Sequence, residues 1–223
     1  MTPLTSLVLA SLAFVGTHFA MSHPLRAGMV ARFGAGGFMG VYVLVSFATL
    51  LWMLFAFRAA HAGAPMLWDA GDAGWIIGSL LLWLGSILLV GSFVRNPAFP
   101  TPGAPVTRIG DPTAVFRITR HPMLWGFILW AATHAIVAPS APSLVLVAAI
   151  FILSLGGAWG QDRKKERLIG DAWREWEAST SFVPFGRGLA SPGLFAGLGG
   201  TALFLFATFA HGAIGAGPWR WIG

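Results

Sequence analysis

Long apolar runs alternate with short polar connections along the chain, and this pattern predicts its secondary structure. A helix that crosses a bilayer needs about 20 mostly apolar residues. Six runs approach or reach that length: residues 3–21, 38–57, 74–94, 122–138, 143–160 and 193–211. We therefore expect an all-α fold, a bundle of about six transmembrane helices, with residues 1–223 forming a single integral membrane domain. The first run lacks the basic start of a signal peptide, so we expect it to be retained as a helix.

Two of the polar connections carry further structural information. The fourth and fifth runs are joined by only PSAPS (139–143), which predicts a tight antiparallel hairpin. The longest connection covers residues 161–188, and its Leu168, Trp173 and Trp176 roughly follow a helical period beside a charged face. We expect a short amphipathic helix there, either lying at the lipid headgroups or exposed to water as a determinant of topology.

The composition supports a membrane location. Hydrophobic residues make up 56% of the chain and charged residues 10%, with a mean hydropathy of +0.74, whereas soluble domains are about 25% charged. Eleven tryptophans and 29 glycines are also typical of membrane helices and their interfaces. The chain has no cysteine, which excludes disulfides, iron–sulfur clusters and cysteine nucleophiles.

Basic residues are distributed unevenly between the two sides of the predicted bundle. Of the 14 lysines and arginines, all except Arg58 and Arg220 fall in the first, third and fifth connections. The positive-inside rule places those connections in the cytoplasm and both termini outside, which is the periplasm for a bacterial inner membrane. The net charge of +6 is therefore explained by orientation in the lipid bilayer, and we expect no nucleic-acid partner.

Two histidines fall at matching depth in this topology. His18 lies in the last turn of the first run, which points inward, and His121 immediately precedes the fourth run, which starts from the same side. Histidines on different helices at one depth can ligate haem or another metal, or each can bind a backbone carbonyl or lie among headgroups. His134 and His211, towards the outer ends of the fourth and sixth runs, form a second candidate pair.

The segment RITRHPMLWG (117–126) concentrates charge where the fourth run begins. Pro122 suits the first turn of a helix, so His121 falls near the N-cap, beside the positive end of the helix dipole. That field, together with Arg117 and Arg120, favours the neutral imidazole that binds metals. It also favours an anion, such as a haem propionate, a nucleotide-like cofactor or a lipid phosphate. Alternatively, the two arginines only anchor the chain to lipid headgroups.

Other chemistries receive little support from the sequence. No Walker loop, H-E-x-x-H motif or Ser/His/Asp arrangement is present. No pair of carboxylates lies inside a predicted span, which argues against a proton-coupled transporter.

Three blocks, at residues 17–53, 117–134 and 162–185, resemble the NnrU family of bacterial membrane proteins, which are named for an association with nitrite and nitric-oxide metabolism. That family also includes 15-cis-zeta-carotene isomerase, a haem-b protein. The resemblance implies haem b bound by His18 and His121, with Arg117 and Arg120 beside a propionate. It implies a role in redox or nitrogen-oxide (denitrification-linked) metabolism, or a haem-dependent cis/trans isomerisation of a hydrophobic small molecule; whether the chain is an enzyme stays open.

Two alternatives remain at this point. RHPMLWG (120–126), followed by ERLIGDAW (166–173), also resembles isoprenylcysteine carboxyl methyltransferases, which implies S-adenosylmethionine near Arg120, His121 and Glu166. The chain departs from that pattern because Trp125 stands near the usual tyrosine and no pair of adjacent glutamates is present. The other alternative is a non-catalytic membrane assembly factor whose longest connection binds a partner protein.

Overall fold

The structure, a computed structural model, describes residues 1–99, 108–212 and Trp219. The helices are α1 (Pro3–Ser22), α2 (Arg26–His61), α3 (Gly71–Gly91), α4 (Pro122–Val137), α5 (Ala141–Ile169), α6 (Asp171–Ser179) and α7 (Leu194–Gly212), with a short 3₁₀ helix at Ala114–Arg117. The described residues form no β-strand, so the prediction of an all-α fold is confirmed.

Each of the six predicted runs corresponds to a helix. In the described part of the chain, five helices (α1, α2, α3, α5 and α7) are long and apolar enough to cross a membrane, while α4 is apolar but has only 16 residues. The protein is therefore a multi-pass membrane protein with a helical bundle.

Two helices extend beyond the predicted limits. The fifth run was expected to end at residue 160, but α5 continues to Ile169, because the following Lys, Arg and Glu residues are good helix formers in water. Helix α2 begins at Arg26 rather than at residue 38 and is interrupted at Gly34, where φ is 69°. That left-handed conformation is open to glycine because it has no Cβ. In both helices the apolar run indicates only the part that crosses the membrane.

The helices lie in a row in which sequence neighbours are not always spatial neighbours. Helix α1 packs against α2 and α5, α5 against α4, α4 against α3, and α3 against α7. The predicted α4–α5 hairpin is confirmed, with only residues 138–140 between the two helices. Ser140 caps α5 by accepting a hydrogen bond from the backbone N–H of Ser143. We use "basic end" for the end of the bundle where α1, α3 and α5 end and α4 and α7 begin.

Helix α6 is the predicted amphipathic helix, but its apolar face packs into the protein. Gly170, with φ of 52°, separates α6 from α5. Trp173 is 0% exposed and Trp176 4%, and both belong to a buried cluster at the basic end with Phe116. Leu168, on the α5 side of the break, is 54% exposed. The expectation of a helix lying at the headgroups or in water is therefore wrong for the two tryptophans, because the bundle itself covers them.

Candidate functional site

The segment around His121 is tied to the chain that follows α6. The backbone N–H of Arg120 donates to the carbonyl of Ser181 at 2.8 Å. The Thr119 hydroxyl and the Trp125 indole N–H both donate to the carbonyl of Phe182, at 2.7 and 2.8 Å. These bonds satisfy backbone groups that have no helical partner and hold residues 119–121 in one position at the start of α4.

His121 lies where the sequence predicts it, directly before Pro122, which is the first residue of α4. Its side chain is 0% exposed. Nδ1 is 3.1 Å from the Gln161 side-chain oxygen. Nε2 is 2.9 Å from Oδ1 of Asp162, without the alignment of a good hydrogen bond. Both ring nitrogens therefore face oxygen atoms of α5.

Asp162 is an anion that lies beside Arg120 and the start of α4. Its Oδ2 accepts hydrogen bonds from Nε of Arg120 at 3.0 Å and from Nη2 at 2.8 Å. The Trp173 indole N–H donates to Oδ1 at 3.3 Å. An anion at this helix start is thus present in the protein itself, as a carboxylate on α5. We call Arg120, His121 and Asp162 the Asp162 cluster.

Glu177 of α6 lies at the edge of the Asp162 cluster, with its Oε1 3.7 Å from Nη2 of Arg120. Burial, followed by the neighbouring charge of Asp162, raises the pKa of Glu177 above its usual value despite Arg120. The carboxylates of Asp162 and Glu177 both lie near the single guanidinium of Arg120. No anionic ligand is needed to neutralise it.

Sequence reasoning missed Asp162 because it looked like the first charged residue of a solvated connection. A signal was present, since Asp162 follows an apolar run directly and precedes a segment that holds four basic residues and one acidic residue, 163–167. A lone carboxylate at that position lies at the depth of His121, which begins the adjacent helix of the hairpin. That relation predicts a pair, although the sequence analysis did not use it.

The other predicted site residues lie apart from this cluster. Arg117 is exposed and makes no ion pair with any residue that the structure describes. His18 is half-buried on α1, its Nδ1 bonded to the carbonyl of Phe14 at 2.6 Å and its ring edge-on to Tyr42 of α2. The rings of His18 and His121 therefore face different helices, α2 and α5.

A haem fits the surroundings of His18 better than those of His121. The bond from Nδ1–H to a carbonyl leaves Nε2 of His18 as the unprotonated nitrogen, which is the usual arrangement of a metal-ligating histidine. His121 offers no free nitrogen as it stands, because Gln161 and Asp162 face both. Nε and Nη2 of Arg120 are likewise engaged by Asp162, so a propionate would have to share this guanidinium with that carboxylate.

The second histidine pair is brought together at the opposite end of the bundle. The ring centroids of His134 and His211 are 6.3 Å apart. Their Nδ1 atoms bind the carbonyls of Trp130 and Ala207, at 2.8 and 2.7 Å. Within the described ranges, no group of three or more His, Cys, Asp or Glu side chains could hold a metal ion. A metal here would need ligands from elsewhere in addition to these two.

The residues implied by the methyltransferase resemblance are not in contact. Glu166 pairs with the exposed Arg163 three residues earlier, at 3.1 Å. The acid that contacts Arg120 and His121 is Asp162 instead.

Comparison with known proteins identifies a family of similar proteins. The family profile described as "NnrU protein" matches residues 6–218. The chain belongs to the NnrU family. This NnrU-family protein is also 30% identical to the chloroplastic 15-cis-zeta-carotene isomerase of Zea mays over 73 residues, and 38% identical to that of Arabidopsis thaliana over 78 residues.

Those similarities are partial. Each covers 33% of this NnrU-family chain and 20% of the isomerase, so the chain matches about a fifth of the length of these curated relatives. No solved structure matches the chain.

Proposed function

We propose that this NnrU-family protein binds haem b within the membrane and that His18 would hold the iron through Nε2. The observation that carries the proposal is the Nδ1 bond to the Phe14 carbonyl, which leaves Nε2 of a half-buried histidine available on an apolar helix. Ionisable residues inside membrane helices are rare and are usually functional. The orientation proposed here places the basic end in the cytoplasm and both termini in the periplasm of a bacterial inner membrane.

The residues of this chain would have three tasks around such a group. Phe14 holds the His18 ring in one tautomer, and Tyr42 packs against the ring and limits its rotation. His121 is the predicted second ligand, and it can bind iron only if its ring leaves Asp162. When bound, haem b supplies a reversible iron redox couple inside the bilayer.

The activity that we propose is a cis/trans isomerisation like that of the relatives, which are 15-cis-zeta-carotene isomerases. A long apolar polyene would reach the bundle through the bilayer, which suits helices whose surfaces are mostly apolar. The competing proposal within the same family is redox or nitrogen-oxide chemistry at the haem. Incubation of the reduced protein with a cis polyene would distinguish the two, because only the isomerisation proposal expects conversion to the trans isomer.

The first prediction concerns the absorption spectrum of the detergent-purified protein, oxidised and then reduced with dithionite. We expect a Soret band that shifts on reduction in the wild type and is lost or strongly weakened in His18→Ala, because that change removes the ligand that the helix orients. His121→Ala should alter the band if His121 is the second ligand. Haem content per protein, measured by the pyridine haemochrome, is the quantity to compare.

His61→Ala is the matched control. His61 is also a histidine at a helix end, but it lies at the end opposite His18 and its Nδ1 is 3.3 Å from the Ser140 hydroxyl. The control variant should retain full haem content. A band that survives both His18→Ala and His121→Ala would indicate that His134 and His211 bind the haem instead. A colourless wild type, expressed with added haem, would contradict the proposal.

A further inference from the structure

A groove opens between α1 and α5 at the basic end. It encloses a cavity of about 670 Å³. Its wall is formed by apolar and small residues, which are Phe19, Gly156, Trp159 and Gly160. Arg163 and Arg167 lie at its rim. The groove is separate from the Asp162 cluster, which lies between α5 and α4.

Close packing of the two helices shapes the groove. The side chains of Phe19, in the last turn of α1, and of His23, the residue directly after α1, lie over Gly156 and Gly160 of α5. A Cβ at Gly156 would meet Phe19 at 2.7 Å, and one at Gly160 would meet His23 at 2.5 Å. The missing side chains let the helices approach and leave a smooth apolar wall, as small residues commonly do in membranes.

Trp159 marks the level of the membrane surface on this wall. It is 62% exposed, and tryptophan is enriched where the apolar core meets the headgroups. The arginines follow one and two helical turns later, at residues 163 and 167, so they stand at headgroup level, whereas Gly156 and the Phe19 side chain packed over it stay at acyl-chain level.

The rim carries more positive charge than the described part of the protein neutralises. Arg163 pairs with Glu166 at 3.1 Å, but it remains exposed and stacks over Trp159. Arg167 makes no ion pair with any residue that the structure describes. Burial, together with the charges of Lys164 and Arg167, lowers the pKa of His23. The imidazole is therefore neutral at pH 7 and adds a polar group without adding repulsion.

We propose that this groove binds an anionic phospholipid, with its phosphate between Arg163 and Arg167 and an acyl chain along Phe19, Gly156 and Trp159. Charge complementarity selects the anion, and the apolar wall below the arginines selects a lipid over free phosphate. Arginine is suited to this task because its planar guanidinium binds phosphate with two parallel hydrogen bonds. The proposal does not rest on haem binding or on any activity of the protein.

The test is native mass spectrometry of the whole protein in mild detergent, titrated with dioleoylphosphatidylglycerol or dioleoylphosphatidylcholine. The wild type should retain the anionic lipid more tightly. Each arginine near the surface contributes about a fivefold change, so the double variant Arg163→Gln, Arg167→Gln should weaken phosphatidylglycerol binding by about 25-fold. Its phosphatidylcholine binding should fall much less, because the choline cation already offsets the phosphate charge of that lipid. Both arginines lie near the surface, so the double variant should still fold.

Arg174→Gln is the matched control, because Arg174 is an exposed arginine at the same end, on α6 and outside the groove. It should leave phosphatidylglycerol binding unchanged. Equal retention of the two lipids by the wild type would overturn the proposal, as would an equal loss in Arg174→Gln, which would show a general surface charge. Displacement of the lipid by millimolar inorganic phosphate would also overturn it, since the site would then bind the free anion.

Discussion

Replacing Asp162 with alanine is expected to destabilise the protein by about 3–5 kcal/mol, the usual cost of removing one partner from a buried ion pair. The side chain is 8% exposed, and it accepts hydrogen bonds from Arg120 and Trp173 while facing His121. Without it, the guanidinium of Arg120 and the ring of His121 stay buried with no matching anion except the more distant Glu177. The start of α4 would then lose its attachment to α5.

The measurement is equilibrium unfolding in mixed micelles with increasing sodium dodecyl sulfate, followed by the loss of helical circular dichroism. Asp171→Ala is the control, since Asp171 also pairs with an arginine but is 86% exposed, and exposed pairs contribute little. Asp162→Asn should give an intermediate loss, because it keeps the volume and one acceptor oxygen. Equal unfolding midpoints for Asp162→Ala and Asp171→Ala would show that water screens the cluster.

The membrane-crossing elements could be predicted because one physical requirement determines them. A backbone in lipid must satisfy its own hydrogen bonds, so an apolar run of sufficient length becomes a helix. The start of α4 at Pro122 and the hairpin before Ala141 were predictable for a second reason, which is local: proline is tolerated at a first helical turn, and a short connection allows only antiparallel packing. Neither reason predicts the extension of α5 to Ile169, because residues 161–169 are mostly polar and no short connection limits them.

The composition of the site was harder to predict, because sequence gives the depth of a residue in the membrane but not the direction of its side chain. Residue counting predicts similar depth for His18 and His121. Their rings nevertheless face α2 and α5, since neighbouring positions on a helix differ by about 100° in direction. The order of helices in the row, with α5 packed between α1 and α4, is a long-range result of packing that no local motif encodes.

The burial of Trp173 and Trp176 is a second case in which the sequence predicts a helix but not its packing partner. Their periodicity correctly predicts a helix with one apolar face, which is α6. Periodicity does not say what covers that face, and lipid headgroups or water were the two surroundings expected for it. Asp162 makes burial of that face possible, because its carboxylate accepts a hydrogen bond from the Trp173 indole inside the bundle.

Gly200→Ala is expected to destabilise the α3–α7 contact by about 1–3 kcal/mol or more, through overpacking of a close helix crossing. A Cβ at this position would lie 2.6 Å from the backbone nitrogen of Ile87 and 2.8 Å from its Cγ1. The backbone cannot rotate aside as a side chain can, so the two helices must separate. Gly197→Ala, one turn earlier on α7, is the control, because nothing lies within 4 Å of its added Cβ and alanine favours helix. Unfolding in the same mixed micelles should show a loss for Gly200→Ala only, and equal midpoints for the two variants would mean that α7 is not held against α3 at this point.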